Sequence, residues 1–178
     1  MENLKNKVIL IGMPGCGKST TGEALSKKLN YDFYDMDAYI EEISGEKIPI
    51  LFSKGEEIFR DWESKACQEL CQKQRVVIAS GGGVVEHDKN IHTLQKDSII
   101  IFINRPIEEI VKDIDITTRP LLKAGIHKLS ELYNKRIHLY QKAAHISIQN
   151  NGSIEQMLSQ IEEQLKGVTN ETNDYQRP

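Results

Sequence analysis

The chain has no Cys-x-x-Cys pair, and its three cysteines, Cys16, Cys67 and Cys71, cannot all pair with one another. A disulfide framework is excluded. Cys67 and Cys71 lie four apart without further ligands nearby, so reduced thiols are expected rather than a metal pair. Long hydrophobic runs are missing as well: the longest, Ile99 to Ile103, is far too short to span a bilayer. Met1 to Asn6 show no apolar leader, and no internal repeat is present. A large excess of one sign of charge is missing too, since 23 Lys plus Arg stand against 26 Asp plus Glu for a net charge of −3. Without a strong basic field, nucleic acid is not expected as the main partner. These absences leave a soluble protein of a reducing cytoplasm. Its 178 residues suit one domain that buries most of its apolar surface without staples.

The most informative stretch is Gly12-Met13-Pro14-Gly15-Cys16-Gly17-Lys18-Ser19-Thr20, which follows the apolar run Val8 to Ile11 and opens a helical pattern. Strand, glycine-rich turn and helix in that order form a phosphate-binding loop. Gly12, Gly15 and Gly17 permit positive φ, so successive N–H groups can line one concavity for phosphate oxygens. The helix that follows adds unpaired N–H groups and the positive end of its dipole. Lys18 suits the β- and γ-phosphates, and Ser19 offers a hydroxyl oxygen to Mg2+, a hard cation.

Further along, Tyr31 to Asp35 reads as a strand ending at Asp35-Met36-Asp37. Two carboxylates at the C-terminal end of a strand lie where an open parallel sheet binds ligands. They can face phosphates or a second substrate, or they can cap the helix expected over 38–43. A later helix buries Phe59, Trp62, Ala66, Cys67 and Leu70, with Glu63 on the same stripe and Arg60 three residues before it. An acid on a core-facing stripe needs a partner. A guanidinium held by such an acid suits recognition of another carboxylate, the alternative being a surface ion pair. Val76 to Ala79 is a third strand, leading into Gly81-Gly82-Gly83, where a ligand can approach the backbone unless the glycines only make a turn. Ser98 to Ile103 is a fourth strand, followed by a helix with Ile107, Ile110, Val111 and Ile114 on one face. The segment from Asp115 to Gly125, carrying Arg119, has the make-up of a lid or of an ordinary connection. The helix expected over 128–144 carries Arg136 on its apolar stripe, four before Tyr140. That guanidinium needs either a buried acid or an anionic ligand. Ile146 to Gln149 is a short fifth strand, and Ser153 with Gln156 forms a capping box for a last helix that Gly167 is expected to end. Residues 168–178 read as a polar, disordered tail. Alternating strands and helices predict an α/β fold with a parallel sheet between helical layers.

Taken together, the phosphate loop, Asp35-Met36-Asp37, Gly55-Glu56 with Phe59-Arg60 and Glu63, the three glycines, Arg119-Pro120-Leu121-Leu122, and Arg136 with Tyr140 resemble the shikimate kinase family over about residues 7–145. The resemblance implies a three-layer, nucleoside monophosphate kinase-like fold with a five-stranded parallel sheet. It also implies a substrate-binding part over about 35–63 and a lid over about 112–126, within a single domain spanning 1–167. The implied activity is transfer of the ATP γ-phosphoryl to the 3-hydroxyl of shikimate, with Mg2+, on the way to aromatic amino acids. Gly15, Cys16, Gly17, Lys18, Ser19 and Thr20 would hold ATP phosphates, with Ser19 and Asp35 serving Mg2+. Asp37 would bind the shikimate hydroxyls and serve as the base. Arg60 and Arg136 would grip its carboxylate, with Glu63 orienting Arg60 and Gly81, Gly82 and Gly83 lining the site. Arg119 would stabilise charge on the transferring phosphoryl. A monomer is expected. Another small-molecule kinase, of gluconate or nucleotide type, and a nucleotide-sensing module without catalysis are the competing readings.

Overall fold

The computed structural model describes residues 6–113 and 126–174. Five strands form one parallel sheet: β1 (Lys7–Ile11), β2 (Asp32–Asp35), β3 (Val76–Ala79), β4 (Ser98–Asn104) and β5 (Ile146–Gln149). Their order is β2-β3-β1-β4-β5. β1 lies at the centre, with Leu10 paired to Ala79 on one side and to Ile101 on the other. Every residue of β1 and β3 is buried. A strand covered on both faces has no polar face to show, which is why these segments read as unbroken apolar runs. The strand order reverses around β1, so a crevice opens at its carboxyl end.

Helices α1 (Lys18–Leu29), α2 (Met36–Ser44), α3 (Ile48–Lys54), α4 (Glu56–Leu70), α5 (Asp88–Gln95), α6 (Ile107–Asp113), α7 (Ile126–Ala143) and α8 (Ile154–Asp174) flank the sheet. Inside α1, Gly22 lets the helix settle on the sheet, since a Cβ there would lie 2.5 Å from the Phe33 ring. The Ser153 and Gln156 capping box forms as expected, with the Ser153 N–H donating to Gln156 Oε1 at 2.9 Å and the Gln156 N–H donating to Ser153 Oγ at 3.3 Å.

Two expectations need correction. Helix α8 runs through Gly167 to Asp174 instead of ending at the glycine, so the tail expected to be disordered is helical over 168–174. Gly167 does not take the left-handed conformation that would stop a helix, and an interior glycine costs only about 1 kcal/mol. Helix α2 starts at Met36 rather than at residue 38, because Asp35 itself caps it. The polar stretch after the three glycines holds a 3-10 turn (Val84–Glu86) and then α5, whose core contacts are Leu94 and Asn90. All three cysteines are free, and burial pushes the Cys67 and Cys71 thiols up. Of the expected lid, residues 114–125, Arg119 included, lie outside the described residues.

Candidate active site

The phosphate loop joins β1 to α1, and its geometry is a backbone matter. Gly12, Gly15 and Gly17 take φ of 146°, 78° and 100°. Gly17 is the N-cap of α1 and supplies no side-chain acceptor, so the first N–H groups of the helix keep their donors for another anion. Lys18 is 8% exposed, and its ammonium donates to the carbonyls of Gly12 at 3.0 Å and Met13 at 2.8 Å, inside the loop that it closes. The Cys16 side chain is buried, its sulfur 3.8 Å from Lys18 Nζ. Asn150, at the end of β5, clamps the loop by donating to the Cys16 carbonyl at 2.8 Å. On the first turn of α1, Ser19 and Thr20 are exposed.

Asp35 does two jobs. Its Oδ1 accepts from the N–H groups of Asp37 (3.0 Å) and Ala38 (3.2 Å), capping α2. Its Oδ2 accepts from the Ser19 hydroxyl at 2.5 Å. The helix cap and the contact with the phosphate loop were alternatives in the sequence; the structure makes them one arrangement. Ser19 and Asp35 thus present two oxygens side by side at the phosphate loop, a donor set suited to a hard cation that keeps most of its waters. Among the described residues no cluster of three or more His, Cys, Asp or Glu forms a metal cage.

Next to this lies an arginine cluster. Glu63, fully buried on α4, accepts from Arg60 Nη1 with both oxygens at 3.1 and 3.0 Å. Arg60 Nη2 donates to Glu56 at 2.9 Å. Arg136, on α7 and 1% exposed, donates from Nη2 to Glu86 Oε2 at 2.8 Å. The same Oε2 lies 3.6 Å from Arg60 Nη2. One carboxylate oxygen therefore bridges the two guanidiniums, and Lys135 pairs with the other oxygen, Oε1. Arg136 Nε is buried with no hydrogen-bond partner among the described residues. Burial raises Glu63, although Arg60 opposes it, and Asp37 adds repulsion. Burial pushes Glu86 upward too, but Lys135 and Arg136 outweigh it and hold its carboxyl below the ordinary range.

The three glycines after β3 tie the two parts together. None of them has positive φ. Their missing side chains make room: a Cβ on Gly81 would lie 3.1 Å from both Asp37 Oδ1 and Glu63 Oε1, and one on Gly82 would lie 2.9 Å from the Pro14 ring. On Gly83 it would collide with the Arg60 guanidinium. The buried Tyr140 hydroxyl donates to the Gly82 carbonyl at 2.5 Å and lies 3.8 Å from Met13 of the phosphate loop.

Asp37, Arg60, Glu63, Gly81, Gly82, Gly83 and Arg136 thus converge beside Lys18, Ser19 and Asp35. Sequence reasoning missed Glu86, an acid two residues before Asp88 in a stretch with no periodic signal. It also passed over Arg105, whose Nη1 donates to the Gly15 carbonyl at 3.1 Å while Nη2 pairs with Asp113. Proximity in space, absent from the chain order, is what reveals both.

Known proteins resemble this chain. The family model for shikimate kinase matches residues 14–166. A shikimate kinase from a type E strain of Clostridium botulinum is 51% identical over 158 residues, covering 89% of this chain and 96% of that protein. One from Clostridium beijerinckii is 49% identical over 160 residues, covering 90% and 95%. Among solved structures, a shikimate kinase from Acinetobacter baumannii in complex with shikimate superposes with a TM-score of 0.87 at 30% identity, covering 91% of this chain and 93% of that one. A gluconokinase from Sinorhizobium meliloti, at 12% identity and a TM-score of 0.61, shares the fold alone.

Proposed function

The chain belongs to the shikimate kinase family, a phosphotransferase acting on a hydroxyl of shikimate, and we propose that it moves the γ-phosphoryl of ATP to the 3-hydroxyl by in-line displacement. One observation carries this reading: two buried guanidiniums, Arg60 and Arg136, meet at a single carboxylate oxygen beside a phosphate loop. Arg136 Nε is an unspent buried donor at that point, ready for a carboxylate that takes over the arginine pair.

In this scheme the N–H groups of Gly15 to Thr20 and the Lys18 ammonium hold the ATP phosphates, which replace the Gly12 and Met13 carbonyls as the ammonium's partners. Ser19 and Asp35 hold Mg2+, which neutralises charge on the phosphate oxygens when bound. Arg60 and Arg136 anchor the acceptor by its carboxylate, and Glu63 keeps Arg60 aimed. Asp37, beside Gly81, orients the attacking hydroxyl and takes its proton. Gly81, Gly82 and Gly83 leave space for the acceptor ring. Arg119 brings a positive charge to the transferring phosphoryl. The protein acts as a cytoplasmic monomer. Among the described residues no helix is long and apolar enough to cross a membrane.

The test is ADP release from Mg-ATP with and without shikimate. Shikimate-dependent turnover is expected. ATP binding without stimulation by shikimate would leave the phosphate loop in place and overturn the acceptor.

A further inference from the structure

We propose that Glu86 is an internal stand-in for the acceptor carboxylate, occupying the arginine pair in the free protein and yielding it to Lys135 when an anionic acceptor arrives. The inference rests on the reading of Arg60 and Arg136 as the acceptor's carboxylate site. The geometry is specific. Arg60 is already engaged by Glu63 and Glu56, and among the described residues Glu86 is the carboxylate that pairs with both guanidiniums, through Oε2. That is the position a substrate carboxylate held by two arginines must take. Two anionic groups cannot share it, because the second would face the first at contact distance. Glu86 has an alternative partner: Lys135 already pairs with Oε1 and is 67% exposed, free to follow the carboxylate outward. A backbone swing is not needed, since the Glu86 side chain already reaches both partners, Lys135 through Oε1 and Arg136 through Oε2.

The consequence is a thermodynamic linkage. Removing the Glu86 charge leaves Arg136 under-compensated in the free protein, but not in the complex, where the acceptor supplies the anion. The free state loses more than the bound state, and acceptor affinity rises. Glu86 thus sets which acceptors succeed: the ligand must carry an anion strong enough to displace a glutamate, and a neutral analogue cannot.

Glu86→Gln tests this. The expected result is a KM for shikimate about five- to tenfold lower, with the change confined to the acceptor rather than to kcat or the KM for ATP. The free variant should melt lower than the wild type, and shikimate should raise its melting temperature by more. Lys135→Met works in the opposite direction. Without the lysine, Glu86 stays on the arginines, and the KM for shikimate rises about two- to fivefold. A KM for shikimate that is unchanged or raised in Glu86→Gln overturns the proposal and makes Glu86 a fixed counter-ion of Arg136. An unchanged KM in Lys135→Met removes the exchange partner and overturns it too. Arg136→Met separates the two levels. If it leaves the KM for shikimate unaltered, the carboxylate site itself was misread, whatever the Glu86 variants do.

Discussion

Two glycine-rich turns lie side by side at the same edge of the sheet, and they need glycine for different reasons. In the phosphate loop the backbone is the working part. Gly17 sits at φ 100°, where a side chain is strained whatever space surrounds it. In the turn after β3 the backbone is ordinary and the working parts are other residues' side chains. Gly83 has φ −93°, which any residue adopts, but its missing Cβ is where the Arg60 guanidinium rests. The first turn is conformational and the second volumetric. One is built from consecutive residues; the other is filled by groups from α2, α4, α7 and the phosphate loop.

The difference can be pushed to breaking. The largest effect is expected from Gly17→Ala, which strains the loop by about 1–3 kcal/mol. It also drives a Cβ to 2.8 Å from the Asn150 amide that clamps the loop. Displaced N–H donors should reduce turnover about a hundredfold and raise the KM for ATP. A near-normal KM for ATP in steady-state kinetics would mean that the loop does not need its left-handed turn.

A smaller and differently placed effect is expected from Gly83→Ala. The guanidinium is the far end of a flexible side chain and can shift, so stability should hardly change. The KM for shikimate should rise about tenfold, about 1.4 kcal/mol, with the KM for ATP unaltered. Loss of ATP affinity here would merge the two turns into one unit and undo the distinction.

The smallest effect concerns the two carboxylates of the arginine cluster, which titrate in opposite senses. Burial raises Glu63, so the folded protein holds its proton more tightly than the unfolded chain does. Its stabilising contribution is complete below the ordinary glutamate value of about 4.3 and is lost as pH rises through the raised value. Glu86 is buried too, but Lys135 and Arg136 bring it below the ordinary range. Its contribution is present above about 4.3 and is lost as pH falls through the lowered value. In melting curves taken across pH, Glu63→Gln should remove a decline on the upper side of that value, and Glu86→Gln a decline on the lower side. Matching profiles for the two variants would show that the cluster titrates as one group.

Much of the fold was legible because its signals are local. The buried runs of β1, β3 and β4, the Ser153 and Gln156 cap and the phosphate loop are each written in a few adjacent residues. Helix α5 was not legible, because Asp88 to Gln95 is mostly polar and only Asn90 and Leu94 are buried. The end of α8 was misread because a glycine can stop a helix or sit inside one, and the packing of Leu165 before it does not distinguish the two. In the site, Arg60 and Glu63 could be paired from their spacing on one helix turn. The partner of Arg136 could not, since Glu86 lies 50 residues away on another element.

By itself, then, the sequence determined the chemistry of the loop: glycines at left-handed positions, a lysine and a serine behind them, all within one short stretch of chain whose conformation follows from local sterics. It also determined that the chain would build a parallel sheet, because strands without a polar face must be covered on both sides. Only the tertiary structure decided that Glu86 bridges Arg60 and Arg136, that Asp35 serves both helix cap and Ser19, and that three glycines are vacated for a guanidinium, a carboxylate pair and a proline ring. Those contacts join residues far apart in the chain. Their energies depend on burial and on the distances between charges, quantities that exist only once the sheet has brought its strand ends together.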